Sequence, residues 1–133
     1  MENLDEKLSL LQELIAFALV DGELHDKEYD FLELISQDLG IEKAVFFKLF
    51  ESKNKIIVPK DEITRICQFY RLALLMFCDG ILHEKEQIKI RELGIAMGLN
   101  PEAMKKVISM MEQSKTNMIS PEQLLEKFAT QHN

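Results

Sequence analysis

Apolar residues recur at helical spacing along nearly the whole chain, and strand-like alternation is nowhere sustained. The first segment, residues 3–20, carries Leu4, Leu8, Leu11, Ile15 and Ala18 on one stripe. The second, 26–39, turns Phe31, Leu32, Ile35 and Leu39 inward, and the third, 42–53, carries Val45, Phe46, Leu49 and Phe50. The longest connection, NKIIVPKDE, is expected to be extended, because Pro59 disfavours helix in the residue before it. A fourth helix over 61–78 bears Ile63, Ile66, Phe69, Tyr70, Ala73, Leu74, Met76 and Phe77. It is apolar nearly all round after Tyr70, the mark of a central, buried helix. The fifth, 84–97, shows Ile90, Leu93 and Met97.

Two further helices announce their starts. Asn100 suits an N-cap and Pro101 the first helical position, followed by the stripe Met104, Val107, Ile108 and Met111. Ser120 and Pro121 repeat the signal with Gln123 in the third position, and Leu124, Leu125 and Phe128 dock that helix. The expected fold class is all-α, with about seven helices in one domain over residues 1–133.

The most informative feature is internal. DGELHDKE begins at Asp21 and DGILHEKE at Asp79, an offset of 79 − 21 = 58, with six of the eight positions identical. Both copies reach a glycine at the same distance, Gly40 and Gly98, each flanked by apolar residues. The chain therefore reads as a duplicated unit of helix, tight loop, helix, glycine stop and helix. Residues 10–51 should superpose on 68–109, with the two units packing about a pseudo-twofold axis.

Composition narrows the function. At 133 residues with 47% apolar and 29% charged residues, the chain can bury a core without disulfides or a structural metal. Its net charge of −7 repels phosphates, so nucleic acid is not an expected partner; cations or a basic protein suit it better. Cys67 and Cys78 lie about three turns apart on one helix, too far for a mutual disulfide, and read as buried thiols in a reducing cytoplasm. The amphipathic N-terminus is not a signal peptide, and the most apolar run, Leu72 to Cys78, is too short to span a bilayer. Five methionines, Met97, Met104, Met110, Met111 and Met118, suit either adaptable core packing or a groove for a partner helix.

Part of the repeated motif is local architecture. Gly22, Gly80, Gly40 and Gly98 fit helix stops in the left-handed conformation. Glu28 and Glu86 follow His25 and His83 at capping-box spacing, although histidine is an unusual cap. Asp21 and Asp79 are harder to explain, because the C-terminal end of a helix disfavours negative charge. Either loop amides compensate each carboxylate or a cation does. The EF-hand pattern fails: counting from Asp21, position five is His25 and twelve is Leu32; from Asp79, three is Ile81 and twelve is Ile90. A pair of histidines among four carboxylates could hold a divalent transition metal. There is no phosphate-binding glycine loop, nucleophile elbow, CxxC or HExxH, so no enzymatic activity is expected and no catalytic residue is assigned.

The repeats FALVDGELHDKE and LMFCDGILHEKE, with the later Leu-Gly-Ile and Met-Gly-Leu turns, resemble the TerB-like family associated with tellurite resistance, over about residues 5–115. The resemblance implies a pseudo-symmetric all-helical fold. It also implies a non-enzymatic adaptor or sensor linked to stress response, with a protein partner and a role at the membrane without insertion into it. By position, it implies a metal site at Asp21 and Glu28 in the first unit and Asp79 and Glu86 in the second; His25 and His83, read from the residues themselves, are weaker candidates. These histidines stand where Asp, Ser or Thr is expected, which weakens the cap or adds a nitrogen ligand.

Overall fold

The computed structural model describes residues 3–20, 22–51 and 56–130. They form seven α-helices and, among the described residues, no strand. The helices are α1 (Leu4–Ala18), α2 (Asp26–Asp38), α3 (Lys43–Leu49), α4 (Glu62–Phe77), α5 (Glu84–Ala96), α6 (Pro101–Gln113) and α7 (Pro121–Thr130). None of them is long and apolar enough to cross a membrane. The central pair is α1 and α4. α2 packs on α1 and carries α3, while α5 packs on both central helices, and α6 and α7 close the far side against α5 and α4.

Local chemistry sets the boundaries. The Asn3 side chain accepts from the Glu6 amide to start α1, and Asp61 does the same for α4 through Thr64. Asn100 receives two amides, from Glu102 and Ala103, and Pro101 follows it at the first turn of α6. Asn3 and Asp61 stand at the same offset as the two motifs, and so do the first residues of α1 and α4, of α2 and α5, and of α3 and α6.

The glycine stops repeat bond for bond. After α2, the Gly40 amide donates to the Gln37 carbonyl and the Ile41 amide to Ser36; after α5, Gly98 donates to Ile95 and Leu99 to Gly94. This is the paired pattern of a Schellman stop, with φ +74° at Gly40 and +77° at Gly98. Ile41 and Leu99 then bury their side chains, locking the turn to the core.

Helix four is not the most buried helix. Nine of the fifteen residues of α1 are buried, against eight of sixteen in α4. The buried face of α1 includes Ser9, Gln12 and Glu13, polar residues that make the helix read as half-exposed. Each has a tertiary partner. Ser9 Oγ accepts from the Ile57 amide at 2.7 Å, Gln12 Nε2 donates to the Leu49 carbonyl, and Gln68 Nε2 donates to Glu13 Oε1. Burial begins at Ser9 in α1 and Ile66 in α4, so Leu4 and Ile63, expected inward, are 62% and 56% exposed. Periodicity alone does not show where a neighbouring helix ends.

α3 ends at Leu49, short of the expected residue 53, and residues 52–55 lie outside the described part. Residues 56–59 of the connection are non-helical, as Pro59 requires, and Ser9 pins them. Cys67 and Cys78 are both free thiols and only half-buried.

Candidate metal centre

The repeated loops lie together beside α1 and α4. His25 ends the first loop as the N-cap residue of α2, and His83 ends the second as the N-cap residue of α5. Their imidazoles stack, with ring centroids 5.6 Å apart and planes 9° from parallel. Residues equivalent in the repeat thus meet face to face.

Asp79 completes the group. It follows the C-cap residue of α4, where the helix dipole opposes a carboxylate. Its Oδ2 lies 2.9 Å from His83 Nε2, and its Oδ1 accepts from the Ile81 amide at 3.0 Å. The same Oδ2 is 4.0 Å from His25 Nε2. The side chain is only 12% exposed. Burial acts to raise the Asp79 carboxyl. The His83 and Ile81 hydrogen bonds and the fields of both histidines outweigh it and hold the carboxyl below its ordinary value of 3.8. The dipole problem seen in the sequence is therefore answered at Asp79 by a loop amide together with an imidazole.

One ligand atom from each of His25, Asp79 and His83 lies within 4.8 Å of the other two. Two imidazole nitrogens and a carboxylate oxygen suit a divalent transition ion better than calcium or magnesium, which favour all-oxygen shells. At Zn–N distances near 2.0–2.1 Å, tetrahedral ligand atoms sit about 3.3 Å apart, so His25 must move in from 4.0 Å while the Asp79–His83 pair opens slightly from 2.9 Å. The half-exposed histidine side chains, 35% and 25% accessible, have room to turn.

The four expected carboxylates do not gather as one ligand set among the described residues. Asp21 lies outside the described residues. Glu28 and Glu86 are both 1% exposed, in the first turns of α2 and α5. Glu28 Oε1 accepts from the His25 amide at 3.1 Å, the reach-back half of a capping box, and lies 4.0 Å from His25 Nε2. The histidines, ranked below the acids from sequence, are the side chains that converge with Asp79. Their equivalence in the repeat was visible, but their stacking depends on how the two units pack.

Cys78, half-buried at the end of α4, faces the same acidic end. Burial first, then the charges of Glu28, Asp79 and Glu86, push its thiol up to about 12. It is a protonated thiol at neutral pH and a poor nucleophile. No family model, curated protein or solved structure matches the chain.

Proposed function

We propose that this protein is a non-enzymatic, metal-responsive adaptor of the TerB-like kind, in which one divalent transition ion is held by His25, Asp79 and His83 across the two repeated units. The carrying observation is the convergence of these three ligand atoms within 4.8 Å, one from the first loop and two from the second. An ion there ties α2 to α4 and α5 and stiffens the junction of the units. The repeated DGxLHxKE motif supports the TerB-like assignment, and with it a stress-response setting and a protein partner docking in the cytoplasm or at a membrane surface. A net charge of −7 favours a basic surface on that partner. Glu28 acts one step out, orienting the loop through the His25 amide.

Metal titration of the full chain tests this reading. Zinc or cobalt(II) is expected to bind with one-to-one stoichiometry by calorimetry and to raise the melting temperature. At a free concentration of 100 Kd the stabilisation is about 2.7 kcal/mol. Cobalt should develop the visible absorption of nitrogen and oxygen ligation. Calcium and magnesium should do neither. His83→Ala should abolish the response, and His25→Ala should weaken it at least as much as Asp79→Asn. A melting curve unchanged by EDTA and by all of these ions would retire the metal and leave the loops as architecture for an adaptor.

A further inference from the structure

A cavity of about 190 Å³ opens between α4, α5 and α6, in the second unit. Its apolar wall is built by Phe69, Met76, Ile90, Met104 and Ile108, with Leu82 from the second loop. Phe69 is held from behind by Phe128 of α7, edge to face at 6.0 Å. Gln87 stands at the edge, and charges of both signs, Arg91 and Lys105 with Glu102 and Glu112, ring the opening.

The first unit shows what fits such a space. Subtracting 58 from Gln87, Met104 and Ile108 gives Tyr29, Phe46 and Phe50. Those three side chains pack ring on ring: Tyr29 to Phe46 at 5.7 Å, Tyr29 to Phe50 at 5.9 Å, and Phe46 to Phe50 at 5.2 Å. The second unit keeps the same helix starts and the same glycine stop, but replaces all three rings with non-aromatic side chains. A second exchange keeps the space open. Ser36 of the first unit becomes Gly94, and a Cβ at Gly94 would collide with the Met104 side chain. Met104 can therefore lie back against α5 instead of filling the cavity.

We infer that this cavity binds a small molecule carrying a single aromatic ring. An apolar cavity of roughly 150 Å³ is enough to take up benzene, so this one holds one ring and a small substituent. The ring lies among Phe69, Ile90 and Ile108, and the Met76 and Met104 thioethers supply sulfur–aromatic contacts. Both thioethers are flexible and adjust to ring size. A polar substituent stays at the opening, where Gln87 and the charged side chains meet water. The volume favours a free small molecule over the anchor of a partner helix, which needs a continuous groove.

The test uses the full chain with its methionine and isoleucine methyl groups labelled for NMR. Phenol and toluene are the probes, and hexanol is the aliphatic control. Saturable shifts at the Met76, Met104, Ile90 and Ile108 methyls are expected with both aromatics, together with a rise in melting temperature. Met104→Phe combined with Ile108→Phe restores two of the rings and should weaken phenol binding by about tenfold or more. Gly94→Ala, which drives Met104 toward the cavity, gives an independent blocking variant should the double substitution fail to fold. The inference is overturned if neither aromatic shifts these methyls saturably, or if both blocking variants bind phenol as the parent does. It is overturned equally if hexanol matches the aromatics, or if only a Phe-bearing amphipathic peptide binds.

Discussion

The first unit fills the angle between its helices with Tyr29, Phe46 and Phe50; the second leaves a cavity at the equivalent place, lined by Met104 and Ile108. Around this contrast the backbones agree, with helix starts at one constant offset and the same hydrogen bonds at the glycine stops. The central helices diverge in the same way. Gln12 of α1 reaches the Leu49 carbonyl at the end of α3. Its equivalent, Tyr70 of α4, holds both the amide and the carbonyl of Ile119, before α7. Turn chemistry is thus retained where the side chains packed between the turns have changed. Backbone hydrogen bonds at a turn have few alternatives, whereas a core tolerates many apolar sets of similar volume.

The largest expected effect probes the core. Phe46→Ala removes a ring from a filled cluster and should cost about 3–5 kcal/mol in urea denaturation. Met104→Ala should cost less, about 2 kcal/mol, because its side chain already borders open space and has fewer contacts to lose. Equal losses would mean that the two units are packed alike and that the cavity is of no consequence.

A smaller effect probes what the units share. Gly40→Ala and Gly98→Ala each place a β-carbon on a residue at positive φ, at about 1–2 kcal/mol. Nothing crowds a Cβ at Gly40, and at Gly98 only Arg65 Nη1 comes near, at 3.7 Å. The two substitutions should therefore destabilise to the same extent. A marked difference would show that the stops are alike in hydrogen bonding but not in strain.

The smallest effect concerns a polar group peculiar to the first unit. Glu13 is buried where the second unit has the half-buried Arg71. Burial pushes its carboxyl above the ordinary 4.5, against the Gln68 hydrogen bond and the Lys89 charge. The folded state therefore holds the proton more tightly than the unfolded chain. Its ionised form carries a penalty that is absent below pH 4.5 and complete once the pH exceeds the folded value. Glu13→Gln should raise the urea midpoint near neutral pH, with the gain vanishing as the pH falls below 4.5. A gain independent of pH would place its cause elsewhere.

Helix number, helix type and the turn positions were legible along the chain because caps, glycine stops and apolar stripes act within a few residues. The internal repeat was equally plain. Less legible was the burial of Ser9, Gln12 and Glu13, since polar residues on a helix read as solvent-facing until Ile57, Leu49 and Gln68 arrive from distant segments. The metal candidates show the same division. The motif marked both the acids and the histidines, and the TerB-like resemblance put the acids first.

The sequence by itself determined an all-helical chain with two matched loops, each offering an Asp, a His and a Glu at fixed spacing. Only the tertiary structure decided that His25 and His83 stack at 5.6 Å with Asp79 beside them, and that Glu28 and Glu86 are buried. It alone decided too that the second unit holds a cavity where the first holds rings. Spacing along a helix positions side chains relative to their own backbone. Which of them meet across two loops depends on how α1, α2, α4 and α5 pack, and that is set by the summed burial of residues far from the motif.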